Sequence, residues 1–592
     1  MEHSHSSLIE SGDIFLKDSQ LKEALACYSK ALTFSPQGDS LLRLYNNLAV
    51  TYKRLGKLQE AEAVIQKGIL TNPNYTSFYS NLSSIYKLQN RFTEATASLQ
   101  KAITLGSGLN DYLNIIELYK YQKAFKDAFN VAAAAIKKFP NEYEAHLALG
   151  NLFASVKAFD KSISPYLKAI ELAPSKAPAY NNIGVAYKEL GDNQKSLAAY
   201  QKALQINPND AAAHNNIGNL LRNIGDTDAA IRHLGYSIKL NPMYADAYSN
   251  LGAVYKELKD YDAAIVYYKK ALELNPEHTN ANFDMALIEL SRGNYQSGWE
   301  KYEHRLKMPE LLSKTYKYKT PMWKGENLRG KTIILQNEQG FGDNIMFIRY
   351  VPNFLALGAE VIIRTRPELV KLFETIDGVA KVCSEDEDTM PEHDFYIPLL
   401  SCPSRFDTQL DSIPAQFPYL HPNKEHINIG FDDSKTNIGI VWSSSRTNKD
   451  FKNKYIGIQN YVELLNIEQT KWFSLQAGED ASQIQKEGFE GRVVDLSYKL
   501  IDFSATAAII DTLDVIITTD TSVAHLCGAM NKEAYVLVPK PADWRWMQDG
   551  DSTPWYPSLK VFRQTQKGSW EEPISAIAKL LRQRIKEEKR AL

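Results

Sequence analysis

Small and aromatic positions recur along the first half of the chain at a spacing close to 34 residues. The small residue of a second helix appears as Ala24, Ala61, Ala95, Ala128, Ser162, Ser196, Ala230 and Ala264. The aromatic residue of a first helix appears as Phe15, Tyr52, Tyr86, Tyr119, Phe153, Tyr187 and Tyr255, with Leu221 interrupting the run. Pro140, Pro174, Pro208, Pro242 and Pro276 close successive units, and Pro36 and Pro73 fit the series with small insertions. Each unit reads as a helical pair that cannot bury its apolar face alone, so the units must stack. Small residues let paired helices approach, and the rings fill the space between them. The pattern predicts eight units and a degenerate ninth, NFDMALIELSRGNYQSGWEKYEHRL, which should cap the array, over residues 1–310.

After Lys319-Thr320-Pro321 the period stops. LRGKTIILQNEQGFGDNIMFIRYVPNFLALGAEVIIRTRPELVKLFETI reads as strand, glycine loop, helix, strand and helix. A second series runs through NIGIVWSSS, TKWFSLQ, RVVDLS, DVIITTDTS and EAYVLVP. Alternating strands and helices predict parallel sheets with right-handed crossovers. The fold class is therefore an all-α superhelix followed by an α/β part with two Rossmann-like lobes. Ligands of such sheets sit at the carboxyl ends of the strands.

Composition narrows the classes of function. The 592 residues carry a net charge of −2, which gives no basic field for nucleic acid or an anionic membrane. The start, MEHSHSSLIESGD, has no basic region followed by an apolar stretch, and no apolar run approaches the ~18 residues of a membrane span. Cys27, Cys383, Cys402 and Cys527 are scattered without a CxxC pair, which suits reduced thiols. A soluble cytoplasmic protein without a metal site is the expectation.

Three loops carry candidate chemistry. Gln339-Gly340-Phe341-Gly342-Asp343-Asn344 opens a helix. Gly340 and Gly342 permit close backbone approach, and Asp343 is either a general base or an ordinary helix-capping carboxylate. Trp442 to Lys454 is basic and hydroxyl-rich directly after a strand, so Lys449 or Lys454 could reach a phosphate unless the loop is merely solvated. Thr519-Asp520-Thr521-Ser522-Val523-Ala524-His525 runs from a strand into a helix, where hydroxyls and N–H groups can meet an anion without a metal. Downstream, Asp543-Trp544-Arg545-Trp546 suits stacking on a base or sugar and bonding to an anion, or packing between lobes. Asp549-Gly550-Asp551 reads as a turn, and Glu385-Asp386-Glu387-Asp388 as a solvated loop. The basic helix after Glu571 is expected to cross back onto the first lobe.

One column of the repeats is polar: Asn47, Asn81, Asn114, Ala148, Asn182, Asn216, Asn250 and Asp284. Amides at this spacing form a ladder that could bond an extended peptide backbone, or simply the adjacent repeat.

The segment YNNIGVAYKELGDNQKSLAAYQKALQINP resembles the tetratricopeptide repeat (TPR). A similar asparagine ladder in eukaryotic O-GlcNAc transferases contacts the acceptor polypeptide. Gly-Asp after the first strand, with Asp-Thr-x-x-Ala-His late in the chain, is similar to the ADP-heptose heptosyltransferase superfamily. The longer match through PMWKGENLRGKTIILQNEQGFGD, VWSSS, TDTSVAHLCGAM and PADWRWMQDGDSTPWYPSLKVFRQ looks like the bacterial TPR-fused glycosyltransferases, including those that modify flagellin. This resemblance implies a TPR array (1–310), an N-terminal GT-B lobe (311–432) and a C-terminal nucleotide-sugar-binding lobe (433–592). It implies an inverting, metal-independent transferase that moves sugar from a nucleotide-sugar to a hydroxyl of a protein acceptor such as flagellin or another surface protein. No cofactor beyond the nucleotide-sugar co-substrate is implied. Asp343 inherits the role of general base. Gly340, Gly342, Lys449 or Lys454, Asp520, Thr521, Ser522, His525, Trp544 and Arg545 inherit donor binding, Ser522 standing where the heptosyltransferases usually have glycine. Asn47, Asn81, Asn114, Asn182, Asn216 and Asn250 inherit acceptor binding. The other readings are a glycan-directed transferase and a non-catalytic TPR scaffold, and self-association through the repeats is open.

Overall fold

The computed structural model describes residues 5–308, 318–422, 430–447 and 451–591. The chain divides into two compact units, residues 1–250 and 251–592.

The first unit is a stack of helical hairpins, from His5–Lys17 with Leu21–Thr33 to Ala211–Ile224 with Thr227–Leu240. The small column behaves as its spacing predicts: Ala24, Ala61, Ala95, Ala128, Ser162, Ser196 and Ala230 are all fully buried. A second pairing lies inside the hairpins. Tyr28, Tyr166 and Tyr200 are buried against Gly12, Gly150 and Gly184, where a Cβ would collide with the ring. Aspartates at 192, 210 and 226 accept hydrogen bonds from the first-turn N–H groups of the helices they precede, which satisfies otherwise unpaired donors.

The second unit opens with the remaining repeat helices, which include Tyr261–Leu274, Thr279–Ser291 and Tyr295–Tyr302. Two all-parallel sheets follow. The first holds β1 (Thr332–Gln336), β2 (Glu360–Thr365), β3 (Lys381–Ser384) and β4 (Phe395–Pro398) in the order β3-β2-β1-β4. The second holds β5 (Thr436–Val441), β6 (Thr470–Ser474), β7 (Val493–Asp495), β8 (Val515–Thr519), β9 (Ala534–Val538) and β10 (Leu559–Arg563). Its order is β10-β9-β8-β5-β6-β7. Winding therefore reverses beside β1 in one sheet and between β5 and β8 in the other. Strands β5, β8 and β9 are buried along their whole length, as parallel strands covered on both faces must be. The period-2 burial of β10, with Leu559 and Val561 in and Lys560 out, marks an edge strand.

Two expectations are corrected. The ninth hairpin, expected to cap the array, packs into the core of the second unit. Its Tyr295, Trp299 and Tyr302 are buried in the same core as Phe347, Trp544 and Trp555, so the compact boundary falls at residue 250 and not at 310. The final helix, Glu571–Ala591, does not cross to the first lobe. Its apolar stripe of Ile574, Ile577, Ala578, Leu581 and Ile585 packs on Ile438, Ile440, Leu464 and Leu537 of the second sheet layer. Ser575 also donates to Glu463 at 2.6 Å and Arg584 to Glu533 at 2.7 Å. A helix that begins a few residues after an edge strand reaches the nearest uncovered sheet face first.

A Cβ at Gly184 would lie 2.6 Å from Tyr200 Cδ1, whereas nothing lies within 4 Å of one at Gly235. Gly184→Ala should therefore lower stability by roughly 2 kcal/mol through overpacking, while Gly235→Ala raises it by about 0.5–1 kcal/mol. Urea unfolding followed by far-ultraviolet circular dichroism checks both signs.

Candidate functional site

The loops after β1, β5 and β8 converge on one pocket of about 390 Å³. Three short segments supply most of its wall, each beginning where a parallel strand ends.

After β1, the chain turns through Asn337, Glu338 and Gln339 into the helix Phe341–Phe347, with Gly340 as its N-cap. Asp343 is the third residue of that helix. One carboxylate oxygen accepts from the Gly340 N–H at 3.0 Å, and the other is paired with Arg545. Asp343 thus bonds back to the start of its own helix and also lines the pocket. Gly342 is needed for a different approach from the one expected. A Cβ there would fall 2.6 Å from His525 Cδ2, so glycine lets the first-sheet helix close on the second-sheet histidine.

After β5, Ser444, Ser445 and Thr447 line the pocket, and the short helix Phe451–Lys454 brings Lys454 into it. Lys449 lies outside the described residues. After β8, Asp520 and Thr521 lead into the helix Ser522–Ala529, whose first residue and cap are both on the pocket wall. Lys454 Nζ stands 2.6 Å from Asp520, the two side chains being 14% and 5% exposed.

Charge sets the character of this space. Burial alone would push the Asp520 carboxyl up, but the Lys454 ammonium outweighs it and holds the pKa below the usual range. Burial likewise would lower Lys454, and Asp520 raises it instead, so both partners are ionised at neutral pH. Arg545 is held between two carboxylates, Asp343 and Asp543, the latter at 2.8 Å. His525 is the exception. Burial, helped by the nearby Arg545 charge, lowers its pKa to about 4, so the imidazole is neutral near pH 7. Its Nδ1 is 3.0 Å from the Tyr556 hydroxyl, and its ring stacks on Trp546 at 5.5 Å.

Gly340, Gly342, Asp343, Lys454, Asp520, Thr521, Ser522, His525 and Arg545 are therefore brought together at one pocket. Trp544 is not part of that wall. Its indole is buried edge-on against Trp299 at 5.3 Å and Trp555 at 5.8 Å, so it anchors the core rather than stacking on a ligand. Arg366 is the addition that no sequence pattern announces, while Ser444 and Asp543 stand in loops already singled out but without a role of their own. Arg366 enters from the turn after β2, donating to the Gln339 carbonyl at 2.6 Å with its guanidinium 4.8 Å from the Phe341 ring. The Ser444 Oγ is buried on the pocket wall without a hydrogen-bond partner among the described residues. An adjoining pocket of about 460 Å³ shares Phe341, Ser444, Thr521 and Ser522, and continues over Leu475, Leu500 and Phe503. Asp549-Gly550-Asp551 is a turn whose Asp549 and Gly550 carbonyls accept from Arg563.

The asparagine column lies in the first unit. Asn81, Asn216 and Asn250 donate to the amide oxygens of Asn46, Asn181 and Asn215 one repeat earlier, at 2.7, 3.1 and 2.8 Å. Asn182 donates to Asn151, and Asn47 to Asp13. Asn114 is exposed. The bonds to an adjacent repeat, one of the two readings of this column, are therefore present and occupy one amide proton on each of these five side chains, as a half-buried amide requires.

Models of the tetratricopeptide repeat match residues 42–75, 76–106, 115–177, 177–210, 199–232, 218–259 and 245–278. A 332-residue stretch is 26% identical to Protein FlbA of Caulobacter vibrioides, covering 51% of this chain and 54% of that one. The chain thus spans about half the length of this curated relative. Among solved structures, the MamA protein is 27% identical with a TM-score of 0.25, over 28% of this chain and 92% of that one. Yeast Tom70 is 13% identical with a TM-score of 0.31, over 52% of this chain and 93% of that one. Residues 42–278 are a TPR array. Among the described residues, no helix is long and apolar enough to cross a membrane.

All eight tryptophans lie in the second unit, so their fluorescence reports its unfolding alone. His525 titrates near 6.5 when unfolded and about 4 when folded. Between those values the unfolded chain holds the extra proton, so His525 makes the second unit less stable as pH falls through that window, by up to ~3 kcal/mol. Urea titrations at pH 7 and pH 4 should show a smaller loss for His525→Gln than for wild type. Equal losses would refute the buried neutral imidazole.

Proposed function

We propose that the chain is a glycosyltransferase of the GT-B type that moves a sugar from a nucleotide-sugar to a hydroxyl group, with a protein as acceptor. One observation carries this reading. A carboxylate, an ionised lysine and a helix N-terminus, drawn from three loops far apart in sequence, line one pocket at the carboxyl ends of parallel strands where the winding reverses.

The residues suit such a reaction. Asp343 accepts the proton of the acceptor hydroxyl, whose oxygen attacks the anomeric carbon as the bond from that carbon to the phosphate oxygen breaks. The electron pair leaves with the nucleoside diphosphate. Lys454, the Ser522 end of its helix and Arg545 meet the developing negative charge, each such donor contributing on the order of a few kcal/mol to the transition state. Ser444 offers on the pocket wall a hydroxyl that has no hydrogen-bond partner among the described residues. His525 stays neutral and acts through hydrogen bonding, not charge. The adjoining apolar pocket has the size and character for a nucleoside. The repeats supply the acceptor-binding surface, since TPR arrays are protein-binding modules and the Oδ1 atoms of the asparagine column can accept from a peptide backbone.

Asp343→Asn keeps the shape of the side chain and removes the base. Turnover of the donor should fall roughly a hundredfold or more while donor binding persists. Nucleotide release from UDP-, GDP-, ADP- and CMP-linked sugars measures the first, and calorimetry the second. A folded Asp343→Asn protein with the wild-type rate would overturn the assignment.

A further inference from the structure

We infer that the ninth repeat hairpin is part of the active site, with Tyr302 and Arg305 as positioning residues for Asp343; this rests on the reading of Asp343 as the base. The three residues before the Asp343 helix form a turn that its own backbone does not stabilise. Gln339 sits at φ +58°, a left-handed conformation that non-glycine residues adopt at a cost. Something outside the turn must hold it there.

One set of holding groups comes from the end of the ninth hairpin. Arg305, fully buried just after the helix Tyr295–Tyr302, grips Glu338 with a two-pronged ion pair, both contacts at 2.7 Å. The same guanidinium donates to Ser401 at 2.9 Å and to Glu303 at 2.6 Å, so its charge is balanced and its geometry fixed. Arg405 closes the network on Glu303 at 3.1 Å. The Tyr302 hydroxyl accepts from the Gln339 side-chain amide at 3.1 Å. On the far side, Arg366 donates to the Gln339 carbonyl, and Asn344 bonds the Glu338 N–H and the Glu338 and Gly340 carbonyls. The turn is clamped from both sides, and the residue that emerges from it two positions after Gly340 is followed directly by Asp343. Loosening the hairpin side should let the carboxylate drift, and a displacement of about 1 Å at a reacting group can cost as much as a hundredfold in rate.

The placement is unlike ordinary repeat packing. Tyr302 packs its ring on Phe283 at 5.5 Å and Trp299 at 5.9 Å, and its hydroxyl, which needs a hydrogen-bond partner once buried, finds Gln339 of the turn and not a group of its own repeat. The Arg305 fork is likewise spent on the catalytic turn. Repeat and catalytic loop are thereby a single mechanical element within the second unit.

Tyr302→Phe keeps the ring and removes only the acceptor for Gln339, and Arg305→Lys keeps the charge and removes the fork. Hydrogen exchange on the full chain should show faster exchange in the peptide spanning 337–347 in both variants, with the rest of the second unit unchanged. Nucleotide release from the UDP-, GDP-, ADP- and CMP-sugar panel should fall about tenfold in kcat with donor KM unchanged. In an Asp343→Asn background the same substitutions should cause no further fall. Unchanged exchange, unchanged kcat, or an undiminished fall in the Asp343→Asn background would each overturn the positioning role. If Asp343→Asn alone turns over at the wild-type rate, or if no sugar on the panel is turned over, the base reading fails and the catalytic half of this proposal with it. The exchange result then still decides separately whether the hairpin holds the turn.

Discussion

The pocket is organised by ionised groups that have left water and therefore need partners. A buried charge is tolerated only when opposite charge or hydrogen bonds replace its hydration. Lys454 and Asp520 satisfy this condition for each other, and Arg545 satisfies it with Asp343 and Asp543. These pairs bind together loops that the chain keeps far apart, and they leave cations already desolvated at the place where an anionic ligand would arrive. A phosphate-bearing ligand would exchange one anionic partner for another, the cost of dehydrating Lys454 and Arg545 having been met in folding.

Around this charged centre the second unit is held together by packed rings. Trp299 of the ninth hairpin stands edge-on to Phe347, Trp544 and Trp555 at 6.1, 5.3 and 6.2 Å. The Trp555 indole N–H reaches the Tyr295 hydroxyl at 2.9 Å. Arg349 is buried beneath Tyr419, Trp555 and Tyr556, and donates to the Trp555 carbonyl at 3.0 Å. The loop after β9, which carries Arg545 and Asp543 to the pocket, is thus fixed by rings on one side and by charge on the other.

The sequence was legible wherever a local pattern had a single physical cause. Small residues every 34 positions must face a neighbouring helix, and the Ala24 to Ala230 series is buried accordingly. Continuous apolar runs such as VIITT must be covered strands, and the loops that follow them in parallel sheets must lie on one edge. That was enough to gather Asp343, Lys454, Asp520 and His525 at one place. What was illegible depends on partners distant in the chain. Arg545 and Asp343 are 202 residues apart, and nothing near either residue announces the other. Trp544 reads equally as a stacking platform or as a packing anchor, because an exposed and a buried indole are alike in sequence. The glycines under Tyr166 and Tyr200 gave no signal either, since glycine in a helix reads only as a weak helix former. Strands β3 and β4 are four residues long, too short for an alternation to show.

The central claim is that the pocket beside Lys454, Asp520 and Ser522 receives the diphosphate of a nucleotide-sugar. Isothermal titration of the full chain with UDP-, GDP-, ADP- and CMP-linked sugars tests it most directly, alongside the Lys454→Met variant. The account predicts saturable one-to-one binding for one nucleotide class and loss of that binding in Lys454→Met with the fold intact. Failure of every nucleotide-sugar to bind at millimolar concentration, or equal binding by Lys454→Met, would contradict it.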